Sequence, residues 1–334
     1  MIEFLTVFAL AIALGWPLGR YLAAVMRGAP MRVDRLFGWI ERPLYRLFGT
    51  DPARGMDWKA YATAFLASNV VLGGIVWIVL MTQAWLPFNP NEAPNMRWDL
   101  ALHTMVSFLT NTNQQHYSGQ AQLSFLSHAM CITGLQVVTP MMGLALVVAT
   151  LRGLFGGRKP ARELADGGRT TVDVGNYWAD VLRPTVRFML PLALAWSLLL
   201  TWQGVPATLQ GGPVAAPVDA QAEMAAQKIP LGPVAPMVAI KQLGTNGGGW
   251  YGPNSAVPLE NPTPFSNVLQ MLAIILVPVS IAFMVGPFTG RRKFTALVFG
   301  TMLGMSLVSA GLAVWSEGHS STAADIALME GKEV

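Results

Sequence analysis

The chain has 334 residues, of which 53% are hydrophobic and 12% charged, roughly half the charge of an ordinary soluble domain, so a soluble globular fold is excluded. A single cysteine, Cys131, excludes an intrachain disulfide and a thiolate metal cluster and reads as an inert thiol in an apolar segment. The formal charge of +4 is poor ground for nucleic-acid binding, because basic residues in membrane chains usually mark loop orientation.

Crossing a bilayer takes about 20 largely apolar residues, and on that rule helices are predicted at Ile2 to Ala24, Ala60 to Trp85, Leu123 to Gly153, Tyr177 to Trp202, Pro264 to Val285 and Phe294 to Trp315. The first resembles a signal peptide only in position. It lacks a basic leading region, carries Glu3 and has no small-residue cleavage site before Pro17. The predicted fold class is therefore an all-α polytopic membrane protein with about six transmembrane helices.

Three loops hold most of the positive charge. Arg20 to Lys59 surround the first, Arg152 to Arg169 with Arg183 and Arg187 the second, and Arg291 to Lys293 the third; only Arg97, Lys228, Lys241 and Lys332 fall elsewhere. The positive-inside rule then places the basic loops in the cytoplasm and the N-terminus outside.

The two outer loops each contain an apolar run too short to cross: Trp98 to Leu109, "WDLALHTMVSFL", and Val234 to Leu243, "VAPMVAIKQL". Both suit re-entrant half-helices, and both lead into a Thr-Asn pair, Thr110-Asn111 and Thr245-Asn246. The order helix, half-helix, polar loop, helix occurs twice, and internal repeats in membrane chains often place a substrate site at their interface. The C-terminal end of a half-helix carries partial negative charge and favours a cation. The loop beyond it cannot face lipid, where each unpaired amide or carbonyl costs several kcal/mol. It must line a polar cavity, in which backbone carbonyls can replace an ion's hydration shell and glycines permit close approach.

"GTNGGGWYG" (Gly244 to Gly252) also invites a nucleotide reading. A phosphate loop needs Lys and Ser/Thr after its second glycine, and a dinucleotide fingerprint follows a strand and opens a helix. Neither condition is met here, since Trp250-Tyr251 follow the glycines and an apolar helical run precedes them.

The segments "WDLALHTMVSFLTNTN" and "TNTNQQHYSG" (to Gly119), "GPVAPMVAIKQLGTNGGGWYGPNSAVPLENPT" (Gly232 to Thr263) and "MEGKE" (Met329 to Glu333) resemble the potassium-binding subunit of the bacterial Kdp potassium-transporting ATPase. The resemblance runs along nearly the whole chain. It implies a potassium-channel-like arrangement of helix-pore-helix repeats in the bacterial cytoplasmic (inner) membrane, with the filter loops outside. Potassium would be the transported substrate, with no organic cofactor, and would pass through an intramembrane tunnel to the P-type ATPase subunit KdpB, assisted by KdpC and KdpF. ATP hydrolysis would belong to KdpB, and nucleic acid would not be a partner.

Carried over by motif, the filter residues are Asn111, Thr112 and Asn113 in the first loop and Thr245, Asn246 and Gly247 in the second, acting mainly through backbone oxygens. Thr110, Gly244, Gly248 and Gly249 support them; for Asn113 and Gly249 a role in loop shape alone stands equally open. The units implied are 1–58, the first helix and its basic loop; 59–153 and 154–290, two helix-pore-helix units; and 291–334, the first helix of a third. Members of this family carry four filter loops, so the sequence is expected to be an N-terminal portion, truncated before the third loop, that by itself neither supports potassium uptake nor assembles stably; the alternative to a potassium-binding subunit is a non-conducting fragment that at most docks to the complex. A membrane-embedded enzyme, the competing class, would need a cluster of titratable groups at one depth.

Several residues carry two readings. Asp99 and His103 share a helix face and could form an acid-base pair, or Asp99 could favour the helix start and His103 pack behind the filter. His116 and His128 add no metal-ligand spacing. Glu260, in "PLENP", is either a vestibule carboxylate that draws cations or a solvated loop residue. Pro140, Pro191 and Pro278 lie inside spans and should free carbonyls there.

Overall fold

The computed structural model describes residues 2–32, 34–112, 114–156, 172–218 and 225–319. Asn113, the "MEGKE" segment and the basic residues Arg158, Lys159, Arg162, Arg169 and Lys332 lie outside the described residues. Helices dominate: α1 (Ile2–Arg27), α2 (Asp34–Leu47), α3 (Trp58–Thr82), α4 (Trp98–Leu109), α5 (Phe125–Phe155), α6 (Tyr177–Trp202), α7 (Val234–Leu243), α8 (Pro264–Thr289) and α9 (Arg292–His319). A two-stranded antiparallel ribbon pairs Val214–Ala215 (β1) with Gln227–Lys228 (β2). Six helices among the described residues, α1, α3, α5, α6, α8 and α9, are long and apolar enough to cross a membrane. These are the six crossings expected from hydropathy, with ends shifted by a few residues.

The helix starts follow from local chemistry. Asp57 accepts a hydrogen bond from Ala60 N–H at 2.7 Å and begins α3, and Asn176 accepts from Ala179 N–H at 3.1 Å and begins α6. Thr263 and Ser266 exchange reciprocal bonds as a capping box for α8. At the other end of α8, Gly290 takes φ +73° and stops the helix.

Packing in the bundle depends on small residues as well as large ones. Helix α1 lies along α8, and a Cβ on Gly15 would meet Val279 Cγ1 at 2.7 Å, while one on Gly19 would meet the Ser280 carbonyl oxygen at 2.5 Å. The spacing Gly15-xxx-Gly19 lets two helix backbones meet closely where lipid offers no hydrophobic drive for association. Arg187 on α6 donates to both Glu41 carboxylate oxygens, at 2.5 and 2.6 Å, and to Asp34, fastening the amphipathic α2 to the bundle. Arg152 on α5 pairs with Asp180 on α6 and also reaches the Val174 carbonyl at 3.0 Å. Helix α9 buries none of its residues; it rests on α8 through contacts such as Phe283 stacked on Phe299.

The prolines remove N–H donors from their helices, and for Pro191 the freed carbonyl has a visible new partner. Pro191 has no N–H for the Arg187 carbonyl one turn earlier, and the Tyr21 hydroxyl donates to that oxygen at 2.9 Å. A wide π-type turn, Thr185–Met189, ends two residues before this proline on α6. A second such turn, His128–Thr133, lies within α5. Pro140 likewise cannot donate to the Gln136 carbonyl, which abuts the second polar loop.

Candidate ion-binding site

The two short helices come together at their C-terminal ends. After Leu109, Thr110 N–H bonds back to Val106 O, Asn111 N–H to Phe108 O at 3.3 Å and Thr112 N–H to Ser107 O at 2.9 Å. After Leu243, Gly244 N–H bonds to Ile240 O, Thr245 N–H to Gln242 O at 3.1 Å and Asn246 N–H to Lys241 O at 2.8 Å. In each cap one residue turns left-handed, Asn111 at φ +59° and Thr245 at φ +55°. Both helices thus end in the same motif, which returns the last carbonyls to amide partners.

That geometry corrects the repeat's register. Reading the Thr-Asn pairs against each other equates Thr110 with Thr245. The backbone instead equates Thr110 with Gly244, Asn111 with Thr245 and Thr112 with Asn246, because conformation and hydrogen-bond partners recur at those positions.

Side chains join the two loops. Asn246 donates its amide to Asn111 Oδ1, and Thr139 on α5 donates to the same oxygen at 3.2 Å. Gln136, one turn earlier on α5, donates to the Gly247 carbonyl at 3.1 Å. The Thr110 and Thr112 hydroxyls are 2.9 Å apart, and Thr245 Oγ1 donates to the Gly244 carbonyl at 2.7 Å. Gln115 ties the first loop to the second by accepting from Gly249 N–H at 2.7 Å. Thr110, Asn111, Gly244 and Thr245 also line one cavity of about 740 Å³, walled by Thr139, Pro140 and Pro278. The structure therefore sets Asn111 of the first loop against Asn246 of the second and places Thr110, Asn111, Gly244 and Thr245 around one cavity.

The supporting glycines are sterically required. A Cβ on Gly244 would lie 2.0 Å from Asn246 Oδ1 and 2.8 Å from the Gln136 carbonyl oxygen. Gly248 combines φ +75° with a would-be contact of 2.8 Å to Phe108 Cζ. A Cβ on Gly249 would fall 2.9 Å from Glu260 Oε1.

Glu260 is neither a vestibule carboxylate nor a solvated one. It is fully buried, as is Lys241, and the two pair at 2.9 Å. Glu260 Oε1 accepts from Trp250 N–H at 2.7 Å and Tyr251 N–H at 3.2 Å, and Oε2 accepts from Ser255 N–H at 2.5 Å. Lys241 Nζ also donates to Asn254 Oδ1 at 2.9 Å. Beyond the glycines, Trp250 stacks on His128 at 4.0 Å between ring centroids, and the Tyr251 hydroxyl donates to the Pro230 carbonyl at 2.6 Å. The sequence held a signal for this pair: a lysine inside an apolar half-helix demands an anion at the same depth.

The remaining titratable residues take quieter roles. Asp99 pairs with Arg97 at 3.0 Å at the start of α4, and His103 meets the edge of His116 with ring centroids 4.4 Å apart. Among the described residues no group of three or more His, Cys, Asp or Glu is placed to hold a metal ion. The site's donors are amides, hydroxyls and main-chain carbonyls, the hard oxygen set that suits an alkali cation.

The family model for the potassium-transporting ATPase A subunit matches residues 5–334. The chain is similar to the potassium-transporting ATPase potassium-binding subunit of Pseudomonas aeruginosa, with 40% identity covering 98% of this chain and 57% of the relative. A protein of the same name from Caldanaerobacter subterraneus is 38% identical, with 96% and 54% covered. One from Gloeobacter violaceus is 39% identical, with 95% and 54% covered. The chain thus spans about half the length of the curated relatives it matches.

Proposed function

The chain belongs to the potassium-transporting ATPase A subunit family, and we propose that it binds potassium at two loops and delivers it to an ATP-driven uptake complex. The backbone oxygens of Asn111, Thr112, Thr245, Asn246 and Gly247 take the place of potassium's hydration shell, with Asn113 continuing the first loop. Gly244, Gly248 and Gly249 give the second loop room, and Thr110 holds the first in shape. The observation that carries this reading is the paired cap: two short helices end in the same left-handed turn and meet through Asn246 and Asn111. Partial negative charge at both helix ends and oxygen-rich loops favour a desolvated monovalent cation.

Potassium then passes to the P-type ATPase subunit KdpB, which hydrolyses ATP, with KdpC and KdpF completing the assembly. The subunit sits in the bacterial cytoplasmic membrane. Its filter loops and N-terminus face outward, and the basic loops, with Arg152, Arg183 and Arg187 at their edges, face the cytoplasm.

Rubidium and potassium uptake by the assembled complex tests the reading. G247S should lose discrimination between the two ions while D99N, altering a carboxylate half-exposed at the far end of α4, leaves it intact. Loss at Asp99 with tolerance at Gly247 would move the site away from the loops.

A further inference from the structure

Lys241 and Glu260 sit behind the second loop, make no contact with the candidate coordinating oxygens through their charged groups, and yet close that loop at both ends. The main-chain carbonyl of Lys241 accepts the Asn246 N–H at 2.8 Å, fixing where the loop leaves α7. Its ammonium binds Glu260 at 2.9 Å, and Glu260 receives the amides of Trp250 and Tyr251, fixing where the loop ends. Between these two anchors lie Gly247, Gly248 and Gly249, a run with little side-chain structure of its own to define which way its carbonyls point. We propose that Glu260, neutralised by Lys241, is a positioning residue that sets the carbonyl directions of the second filter loop and thereby its potassium selectivity.

Three features support this beyond burial alone. A carboxylate is the side chain that can accept from three main-chain amides and an ammonium at once, and here both oxygens are fully used. The position equivalent to Lys241 in the first loop is Ser107, whose carbonyl accepts Thr112 N–H and whose hydroxyl donates to the Gln114 carbonyl at 3.0 Å. Both units therefore close the filter loop from the same helical position, the first with a hydroxyl and the second with an ion pair. Gln270, itself bonded to Gln242, donates to the Glu260 carbonyl at 2.9 Å, so the carboxylate's own backbone is held as well.

The inference rests on the filter reading above, and its test separates the two. E260Q, K241M and the neutral pair K241M/E260Q are compared with G247S in the assembled complex, reading potassium half-saturation, rubidium-to-potassium discrimination and the amount of complex. In E260Q the amide turns a donor toward either the Trp250 and Tyr251 N–H groups or the Lys241 ammonium. Half-saturation should rise at least tenfold and discrimination fall, without a matching fall in the complex recovered. The neutral pair removes the uncompensated charge, so it should assemble best and still show a rise of at least threefold. Wild-type affinity and discrimination in the neutral pair, with discrimination lost in G247S, would overturn the positioning role and leave the filter reading standing. Unchanged discrimination in G247S as well would overturn both.

Discussion

The two polar loops share a backbone turn and differ in nearly everything that supports it. Helix α7 is buried at nine of its ten positions, and its loop is anchored by an internal ion pair and by Trp250 wedged against His128. Helix α4 is buried on one side only, with Leu102 and Val106 exposed, and its loop relies on hydroxyls from Thr110, Thr112 and Ser107. The same cap conformation can therefore be held by steric enclosure and charge or by a lattice of short polar side chains. The second loop is the more enclosed wall, and the first is bonded to it through Asn111 and Gln115.

Substitutions at equivalent positions test that contrast. The largest difference is expected at the cap residue itself. G244A would force a Cβ against Asn246 Oδ1 and the Gln136 carbonyl, so potassium transport should fall by at least tenfold; T110G, at the matching position, should cost less than threefold. Equal losses in uptake assays would mean that the two walls are supported alike. Next comes the bridge between the loops. N111A and N246A should be strongly non-additive, with a coupling of about 0.5–3 kcal/mol in a double-mutant cycle on potassium affinity; independent effects would separate the walls.

A smaller effect is expected at Ser107. S107A removes one hydroxyl bond to the Gln114 carbonyl, worth about 1 kcal/mol, whereas K241M, at the equivalent position, leaves the buried Glu260 without its cation and costs about 3–5 kcal/mol. Thermal unfolding of the two variants in detergent should rank them in that order. The smallest lies far from both loops. Asp34 is held below the usual carboxylate range by the Met31 N–H and then by Arg187. A depressed carboxylate contributes stability that is present above its unfolded value, about 3.9, and fades as pH falls through the lower folded value. D34N should therefore cost a little stability at neutral pH, the loss being small because the carboxylate is partly exposed, and the difference from wild type should vanish as pH falls through the folded value, which flattens the acid limb.

Much of this was legible in the sequence. Six apolar runs located the six crossing helices, and "VAPMVAIKQLGTNGGG" located both the second short helix and its loop. The register of the repeat was not legible, because matching Thr-Asn letters align side chains whereas the cap is defined by backbone turns at Asn111 and Thr245. Glu260 was misread because "PLENP" looks like a surface loop; its burial follows from folding back over α7 to reach Lys241, a contact nineteen residues long in sequence. The Gly15–Gly19 contact with α8 depended on knowing which helix was the neighbour. The π-type turns at His128–Thr133 and Thr185–Met189 depended on tertiary partners such as Tyr21, which no local propensity announces.

The central claim is that one potassium ion is held between the two caps by main-chain oxygens. Anomalous scattering from thallium(I), a potassium surrogate, in the assembled complex tests it most directly. A peak bridging the carbonyls of Thr112, Asn246 and Gly247, abolished by excess potassium, is the predicted result. A potassium-sensitive peak elsewhere in the subunit, with none between these loops, would contradict it.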